Sequence, residues 1–201
     1  MKKIIYIILA LFLFSCKQKP KELKQELKKV LISEKLTYEV INYIIESTPK
    51  EEGFISNYLV YDNFPMSDEE IKSNDFMGIS KMDTLFSKID VKYILEQNKN
   101  RMNFSLKQSL IKNKTIIPNK KLEEFYIEKN GVKNFWENYR KIYGDQGFYS
   151  ISQPLFSIDK KTVIISKGFH CGSLCGWGST IILKKNNGKW KIISVLESWQ
   201  S

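Results

Sequence analysis

Histidine is almost missing from this sequence: His170 is the only one in 201 residues. Most Ser/His/Asp and Cys/His catalytic arrangements need a histidine base, so such chemistry would have to use His170. The patterns Gly-x-Ser-x-Gly and His-Glu-x-x-His and the phosphate-binding loop do not occur either. Paired acids such as Glu51-Glu52 and Glu123-Glu124 lie in polar stretches and fit solvated surfaces better than an acid/base couple. The sequence therefore predicts no catalytic residue, no metal and no cofactor.

Long apolar runs are also scarce. The one clear run, residues 4–14, follows Lys2 and Lys3, and its eleven residues are too few to cross a ~30 Å hydrocarbon core as a helix. Its length and flanking charge are those of a signal-peptide core. The run leads into Leu13-Phe14-Ser15-Cys16, which is an aliphatic residue, a tolerant position, a small residue and a cysteine. This tetrapeptide resembles the lipobox of bacterial prolipoproteins, although Phe14 is bulkier than usual.

The resemblance implies a signal peptide over residues 1–15, cleavage before Cys16, and a diacylglyceryl or palmitate-bearing lipid on the Cys16 sulfur. Residues 16–20 would form the lipidated tether. Two acyl chains anchor a protein stably, so the membrane is the expected partner and the cell envelope the expected location. Lys17 differs from the aspartate that retains some lipoproteins in the inner membrane, which favours the outer membrane. A secretory signal with an incidental cysteine, or an uncleaved anchor, is the alternative.

The chain is basic, with a formal net charge of +10 that falls to +8 when the two lysines of residues 1–15 are removed. Its lysines are scattered, and an exported protein rarely meets nucleic acid, so no nucleic-acid partner is expected. The exception is a cluster at the start of the mature chain: Lys17, Lys19, Lys21, Lys24, Lys28 and Lys29. This cluster would contact anionic headgroups or simply form a solvated helix face.

Helical spacing of apolar residues dominates the chain up to about residue 145. It predicts helices over 20–32, 36–47, 87–100 and 132–143. Ser67, followed by three acids, is typical of a further helix start, and Gly144 of a helix end. In the third helix Ile89, Tyr93 and Ile94 are expected to face the core. The stretch 54–62 favours a strand, and 106–111 a turn or strand.

After residue 147 the apolar period changes to two, which predicts strands over about 148–157, 161–169, 178–185 and 190–198. Asp159-Lys160 and Asn186-Asn187-Gly188 are the predicted turns. We therefore predict an α+β fold in one domain, residues 21–201. Its N-terminal helices (about 21–145) would pack on one face of a C-terminal four-stranded antiparallel meander (about 146–201).

The carboxy-terminal fifty-five or so residues also resemble a group of uncharacterised lipoproteins of the flavobacterial type. The likeness lies in residues 150–156 (SISQPLF), in Cys171-Gly172-Ser173-Leu174-Cys175-Gly176, and in the final Trp199-Gln200-Ser201. It implies the same location and fold, and no activity.

The stretch 168–178 is predicted to join the second and third strands, and it contains four glycines, His170, Cys171 and Cys175. A disulfide between the two cysteines is one interpretation, because lipidation of Cys16 leaves an even number in an oxidising compartment. A metal site with His170 is another, although structural zinc prefers four protein ligands. A redox-active or free thiol pair is the third, although Cys-x-x-x-Cys is not the thioredoxin-like spacing.

The same stretch is a possible ligand loop, formed by Gly168, His170, Gly172, Gly176 and Trp177. Its glycines would present backbone N–H groups to an anion, or would only let a cross-linked connection turn. Trp177 would contact a partner or cap the edge of the sheet. The leading hypothesis is a membrane-anchored, non-enzymatic binding or assembly module with an unknown envelope protein or ligand as its partner. The alternative is a hydrolase, or a redox or metal-dependent enzyme, built around residues 168–178.

Overall fold

The computed structural model describes residues 32–47, 56–62, 85–126 and 134–201, all of them within one compact unit, Ile32–Ser201. The signal peptide, Cys16, the helix predicted over 20–32 and the helix start at Ser67 lie outside the described residues. The described helices are α1 (Glu34–Ser47), α2 (Lys88–Lys99), α3 (Asn119–Phe125) and α4 (Phe135–Tyr143). The described strands are β1 (Tyr58–Tyr61), β2 (Thr115–Ile117), β3 (Phe148–Ile151), β4 (Leu155–Phe156), β5 (Thr162–Gly172), β6 (Cys175–Asn186) and β7 (Lys189–Gln200).

The seven strands form one mixed sheet in the order β2-β1-β3-β5-β6-β7, with β4 paired to β5. The strand β1 runs parallel to both β2 and β3, whereas β3, β5, β6 and β7 follow one another in antiparallel pairs. The predicted α+β class is confirmed. The predicted four-stranded meander is too small, because β1 and β2 extend the same sheet through parallel pairing.

The helices cover both faces of the sheet, which corrects the prediction of one helical face. On one face α1 packs with alternate strand residues in the largest core cluster, which includes Ile41, Ile44, Ile151, Ile165 and Leu183. On the opposite face, α2 covers one cluster and α3 with α4 covers another. Since strand side chains alternate between faces, each inner strand contributes to both cores.

Local signals set the helix ends. Ser87 caps α2 through a capping box, because its hydroxyl accepts a hydrogen bond from the Asp90 amide and the Asp90 carboxylate accepts one from the Ser87 amide. Gly144 ends α4 with a φ of 73°, a backbone conformation that favours glycine. In α2, Tyr93 and Ile94 are buried as predicted. The same prediction for Ile89 is wrong, because this residue lies in the first turn and is 46% exposed.

The strand bounds differ from the prediction at two places. The strand predicted over 148–157 is interrupted at residues 152–154, because Pro154 has no N–H to donate to a ladder. The stretch 168–178 is strand for almost its whole length and not a loop, since β5 and β6 pair up to Gly172 and Cys175. The stretch 106–111 contains a short 3-10 turn, Gln108–Leu110.

None of the helices among the described residues is long and apolar enough to cross a membrane.

Candidate functional site

The cysteines of the predicted loop lie at the end of the β5–β6 hairpin and form a disulfide. The Cα atoms of Cys171 and Cys175 are 5.1 Å apart, within the usual range for such a bond. Between them, Ser173 and Leu174 form the turn, and Leu174 is 87% exposed. The disulfide interpretation is therefore confirmed. The free-thiol interpretation is wrong, and neither sulfur is a thiolate that a metal could bind.

We expect the disulfide to contribute modestly to stability, because it closes a very short ring. Replacing both Cys171 and Cys175 with serine should lower the free energy of unfolding by less than ~3 kcal/mol. Urea unfolding followed by tryptophan fluorescence measures this difference, with the reduced wild-type protein as the matched control. Thiol trapping of the native protein should label Cys171 and Cys175 only after reduction, and labelling before reduction would contradict the assignment.

His170 is held in an aromatic environment on the face of the sheet opposite α1. Its ring stacks on Phe148 at a centroid distance of 5.0 Å and lies 5.5 Å from the ring of Trp199. Its Nε2 atom shares a hydrogen bond of 3.1 Å with the hydroxyl of buried Ser150. Burial lowers the pKa of His170 below its ordinary value of 6.5, and the negative charge of Asp62 opposes this shift. The imidazole is therefore neutral at pH 7 and serves as a packed, hydrogen-bonded ring.

The glycines of β6 allow a tryptophan to lie against the sheet. A Cβ atom on Gly178 would lie 2.3 Å from Nε1 of Trp199, and one on Gly176 would lie 3.3 Å from the same ring. Trp199 pairs with Gly178 across the β6–β7 ladder, so its indole crosses directly over these two positions. Gly176 and Gly178 are thus needed for close packing, a reason that was not among those predicted. Gly172 lies beside the disulfide, where an added Cβ atom would be 3.4 Å from the Cβ atom of Cys175.

A cavity of about 470 Å³ lies on the α1 face of the sheet, where α1 ends. Its walls come from the end of α1, the start of β1, the residues before β2, and the strands β3, β5 and β6. The lining residues are Ile44, Ile45, Glu46, Ser56, Asn57, Leu59, Asn113, Lys114, Tyr149, Ser150, Ile151, Lys167, Gly168 and Trp177. Its volume is in the range of small-molecule sites, and a mainly apolar lining with a few polar groups is typical of them.

Two of the five residues predicted as a ligand loop line this cavity. They are Gly168 and Trp177, and Trp177 lies on an inner strand, so the prediction that it caps the edge of the sheet is wrong. The side chain of His170 belongs to the opposite face, and Gly172 and Gly176 are not among the lining residues. The structure therefore divides the predicted loop between a cavity, a disulfide and a packed aromatic cluster.

The lysines and the tyrosine of the cavity were missed by sequence reasoning. Lys114 lies with its Nζ atom 4.4 Å from the Tyr149 ring centroid, and the Nζ atom of Lys167 lies 5.5 Å from that of Trp177. Both lysines are half-buried, unlike most lysines on protein surfaces. Lys167 lies in a strand whose other residues are largely buried. A lysine within such a strand was the sequence signal that could have indicated a cavity.

A second concave region, a more open groove of about 770 Å³, runs beside α1 toward the β6–β7 turn. Its lining contains Glu34, Glu39 and Glu46 together with Lys35, Lys112 and Lys189. Charges of the two signs largely pair here: Lys112 lies 3.4 Å from Glu46, and Glu39 accepts hydrogen bonds from Lys185 and Trp190. This groove is therefore a solvated surface, and the smaller cavity is the better candidate site.

The cavity presents groups that could contact a ligand. Within the described ranges, no three histidine, cysteine, aspartate or glutamate side chains come together in a group that could hold a metal ion. The cavity instead offers buried aliphatic side chains, two aromatic rings, and two ammonium groups held near those rings. No protein-family model, curated protein or solved structure matches this chain, so the geometry of the cavity carries the functional assignment.

Proposed function

We propose that this protein is an exported lipoprotein, cleaved before Cys16 and anchored by lipid, whose domain binds a small ligand in the cavity at the end of α1. The anchor would hold the domain at the cell envelope, on the outer membrane in preference to the inner. The domain would act as a binding module and not as an enzyme. The observation that carries the binding function is the cavity itself.

The lipid anchor is supported by the sequence and by one feature of the fold. The tetrapeptide Leu13-Phe14-Ser15-Cys16 has the order of residues that lipoprotein processing requires. The disulfide between Cys171 and Cys175 is a second indication, because disulfides persist in oxidising compartments and are rare in the bacterial cytosol. Export to such a compartment agrees with a signal peptide over residues 1–15.

The binding function is supported by how the cavity is built. Leu59 and Ile151 are each 1% exposed and belong to the largest core cluster, so this part of the cavity belongs to the rigid interior. The loop before β2 is held as well, because Lys114 donates a hydrogen bond to the carbonyl of Ser56. A ligand would therefore find a largely formed site, which reduces the entropy lost on binding.

Mass spectrometry of the full-length protein extracted from membranes tests both parts of the proposal. Under denaturing conditions we expect the N-terminal residue to be Cys16 with the added mass of a diacylglyceryl group. Under native conditions we expect an additional non-covalent small molecule that is lost on unfolding. The Cys16→Ser variant is the control, and it should leave the membrane fraction.

Membrane retention of Cys16→Ser with an uncleaved N-terminus would contradict the lipoprotein assignment. A native mass equal to that of the lipidated chain, together with capture of a protein partner and no small molecule, would contradict the cavity as the functional site.

A further inference from the structure

The strand β7 lies at one edge of the described sheet, where it pairs with β6. An edge strand presents backbone N–H and C=O groups to which a further strand can bind. At the centre of β7, the apolar side chains of Ile192, Ile193 and Val195 are between 40% and 53% exposed. Another strand that paired with β7 would therefore cover apolar surface as well as backbone polar groups.

Two bulges interrupt the pairing of β7 with β6. Ile193 and Leu196 are the extra residues, because neither has a partner in the register with β6. Between Lys191 and Glu197, one extra residue therefore lies on each side of Ser194. The irregularities of the strand are balanced about this serine.

The charges of β7 are balanced about the same residue. Lys191 lies three residues before Ser194 and Glu197 lies three residues after it. In a regular strand, residues three positions apart lie on opposite faces. Here all three share one face, because each pairs with an even-numbered residue of β6, which has no extra residue over this stretch. The bulges thus place a cation and an anion at equal distances from Ser194 on one face of the edge.

A strand with this arrangement is complementary to itself. When two copies of β7 run antiparallel with Ser194 opposite Ser194, Lys191 of each copy lies opposite Glu197 of the other. In the same register, the exposed Ile193 lies opposite the exposed Val195 of the second copy. Opposite charges and apolar side chains that face each other across an antiparallel pair are the contacts that stabilise it.

Lysines and bulges usually protect an edge strand against pairing. In β7 they select one register, because a slip of a single residue would move Lys191 away from Glu197 in both halves of the contact. Other strands would find two bulges that they do not match. The edge is therefore protected against general pairing and fitted to a second copy of itself.

We propose that two copies of this protein pair through β7, antiparallel and about a twofold axis at Ser194, so that their sheets join into one. This contact goes beyond the proposed ligand binding and is separate from it, since the lining of the cavity includes no residue of β7.

Charge exchange between two co-expressed copies tests the contact on the full-length protein. The copies carry different affinity tags, and recovery of the second tag with the first from detergent extracts measures their pairing. Wild-type copies should co-purify. Lys191→Glu in both copies opposes two acids, and Glu197→Lys in both opposes two lysines, so each should lower the recovery about tenfold. One copy of each variant restores both ion pairs and should recover most of the wild-type yield.

Lys120→Glu in both copies is the matched control for charge. Lys120 is exposed on α3, which follows the opposite edge strand β2, so the same change of net charge there should leave the recovery unchanged. Thermal unfolding of each variant shows that the fold is retained.

Single cysteines locate the axis. In the proposed register the two copies of Ser194→Cys lie directly opposite each other, within the Cα separation of a disulfide. Mild oxidation of membranes should therefore give a dimer on a non-reducing gel. Ser198→Cys is the matched control, because its two copies would lie roughly 20 Å apart along the strands and should not cross-link.

Failure of the wild-type copies to co-purify, together with no cross-link from Ser194→Cys, would overturn the proposal. So would co-purification that the mixed Lys191→Glu and Glu197→Lys pair does not restore. Cross-linking of Ser198→Cys as strong as that of Ser194→Cys would show that the copies meet in another way. None of these results bears on the cavity, which the native mass measurement tests independently.

Discussion

Replacing Gly147 with alanine is expected to remove at least about 3 kcal/mol of folding free energy, enough to threaten folding. A Cβ atom at this position would lie 2.1 Å from the carbonyl oxygen of His170 and 2.8 Å from the ring of Phe169. This carbonyl is part of the backbone of β5. It cannot rotate away, because His170 pairs with Phe148 of β3. The strands would have to separate at the centre of the sheet.

Gly147 also joins two parts of the core through its own carbonyl. That oxygen accepts hydrogen bonds from the hydroxyls of Ser56, at 2.5 Å, and of fully buried Tyr139, at 3.1 Å. A shift of the backbone at residue 147 would therefore disturb both the segment that leads into β1 and the packing of α4 on the sheet. Buried polar groups that lose their partners cost about 1–3 kcal/mol each.

Gly188→Ala is the matched control for this experiment. Gly188 has a φ of 77°, and a Cβ atom added there would have no neighbour within 4 Å. Its substitution therefore strains only the backbone and should cost about 1 kcal/mol. Tyr139→Phe measures the hydrogen bond alone and should also cost about 1 kcal/mol. Urea unfolding of the three variants gives the comparison, and equal losses for Gly147→Ala and Gly188→Ala would show that the strands adjust freely.

Stability is expected to fall steeply above about pH 10, because folding buries tyrosines in their neutral form. Burial raises the pKa of Tyr61 to about 12, with Arg101 opposing the shift and Asp62 adding to it. Burial also raises the pKa of Tyr139, Tyr38 and Tyr93 above the ordinary value of 10.0. The unfolded chain releases these protons from about pH 10 upward, whereas the folded chain retains them, so unfolding becomes more favourable as the pH rises.

The expected size of this alkaline effect is large. Each such tyrosine removes up to about 1.4 kcal/mol per pH unit between its unfolded and folded pKa values, so Tyr61 and Tyr139 together remove up to ~3 kcal/mol per unit. A typical domain has only about 5–15 kcal/mol of total stability, so this loss removes a large part of it by about pH 12. Urea unfolding between about pH 8 and about pH 11, with ultraviolet titration of the phenols, measures the slope.

Tyrosine variants separate this effect from other alkaline changes. Tyr61→Phe should reduce the dependence on pH, because phenylalanine has no proton to release. Tyr126→Phe is the control, since Tyr126 is 61% exposed and its replacement should leave the slope unchanged. Titration of all the native phenols near their ordinary pKa of 10.0, or identical slopes for both variants, would contradict the prediction.

The parts of the fold that were predicted from the sequence depend on local interactions. The turn at Asn187 and Gly188 was recognised because both residues tolerate positive φ, and the structure gives them φ values of 49° and 77°. The start of α2 is also local, because Ser87 and Asp90 bond to each other across three residues. The Cys171–Cys175 disulfide belongs to the same class, since both cysteines lie on one short connection.

The parts that were missed depend on contacts between distant residues. Parallel pairing of β1 with β2 joins Leu59 to Ile116, and no periodicity within either segment contains that information. The cavity is a similar case, because residues as far apart in the chain as Ile44, Lys114 and Trp177 all line it. The role of Gly176 and Gly178 also depends on Trp199, which reaches them from the next strand. The unusual residues of 168–178 were recognised in the sequence, but the face of the sheet on which each side chain lies was not.

The position of α1 in the core has a consequence for how the chain is made. Tyr38 and Ile41, near the start of the described chain, pack in one cluster with Ile181, Leu183 and Trp190, which are synthesised much later. Until β6 and β7 have been synthesised, the apolar face of α1 lacks the strands that complete its cover. The core around α1 is therefore completed only after β7 has been synthesised, and until then the nascent chain lacks its largest apolar cluster.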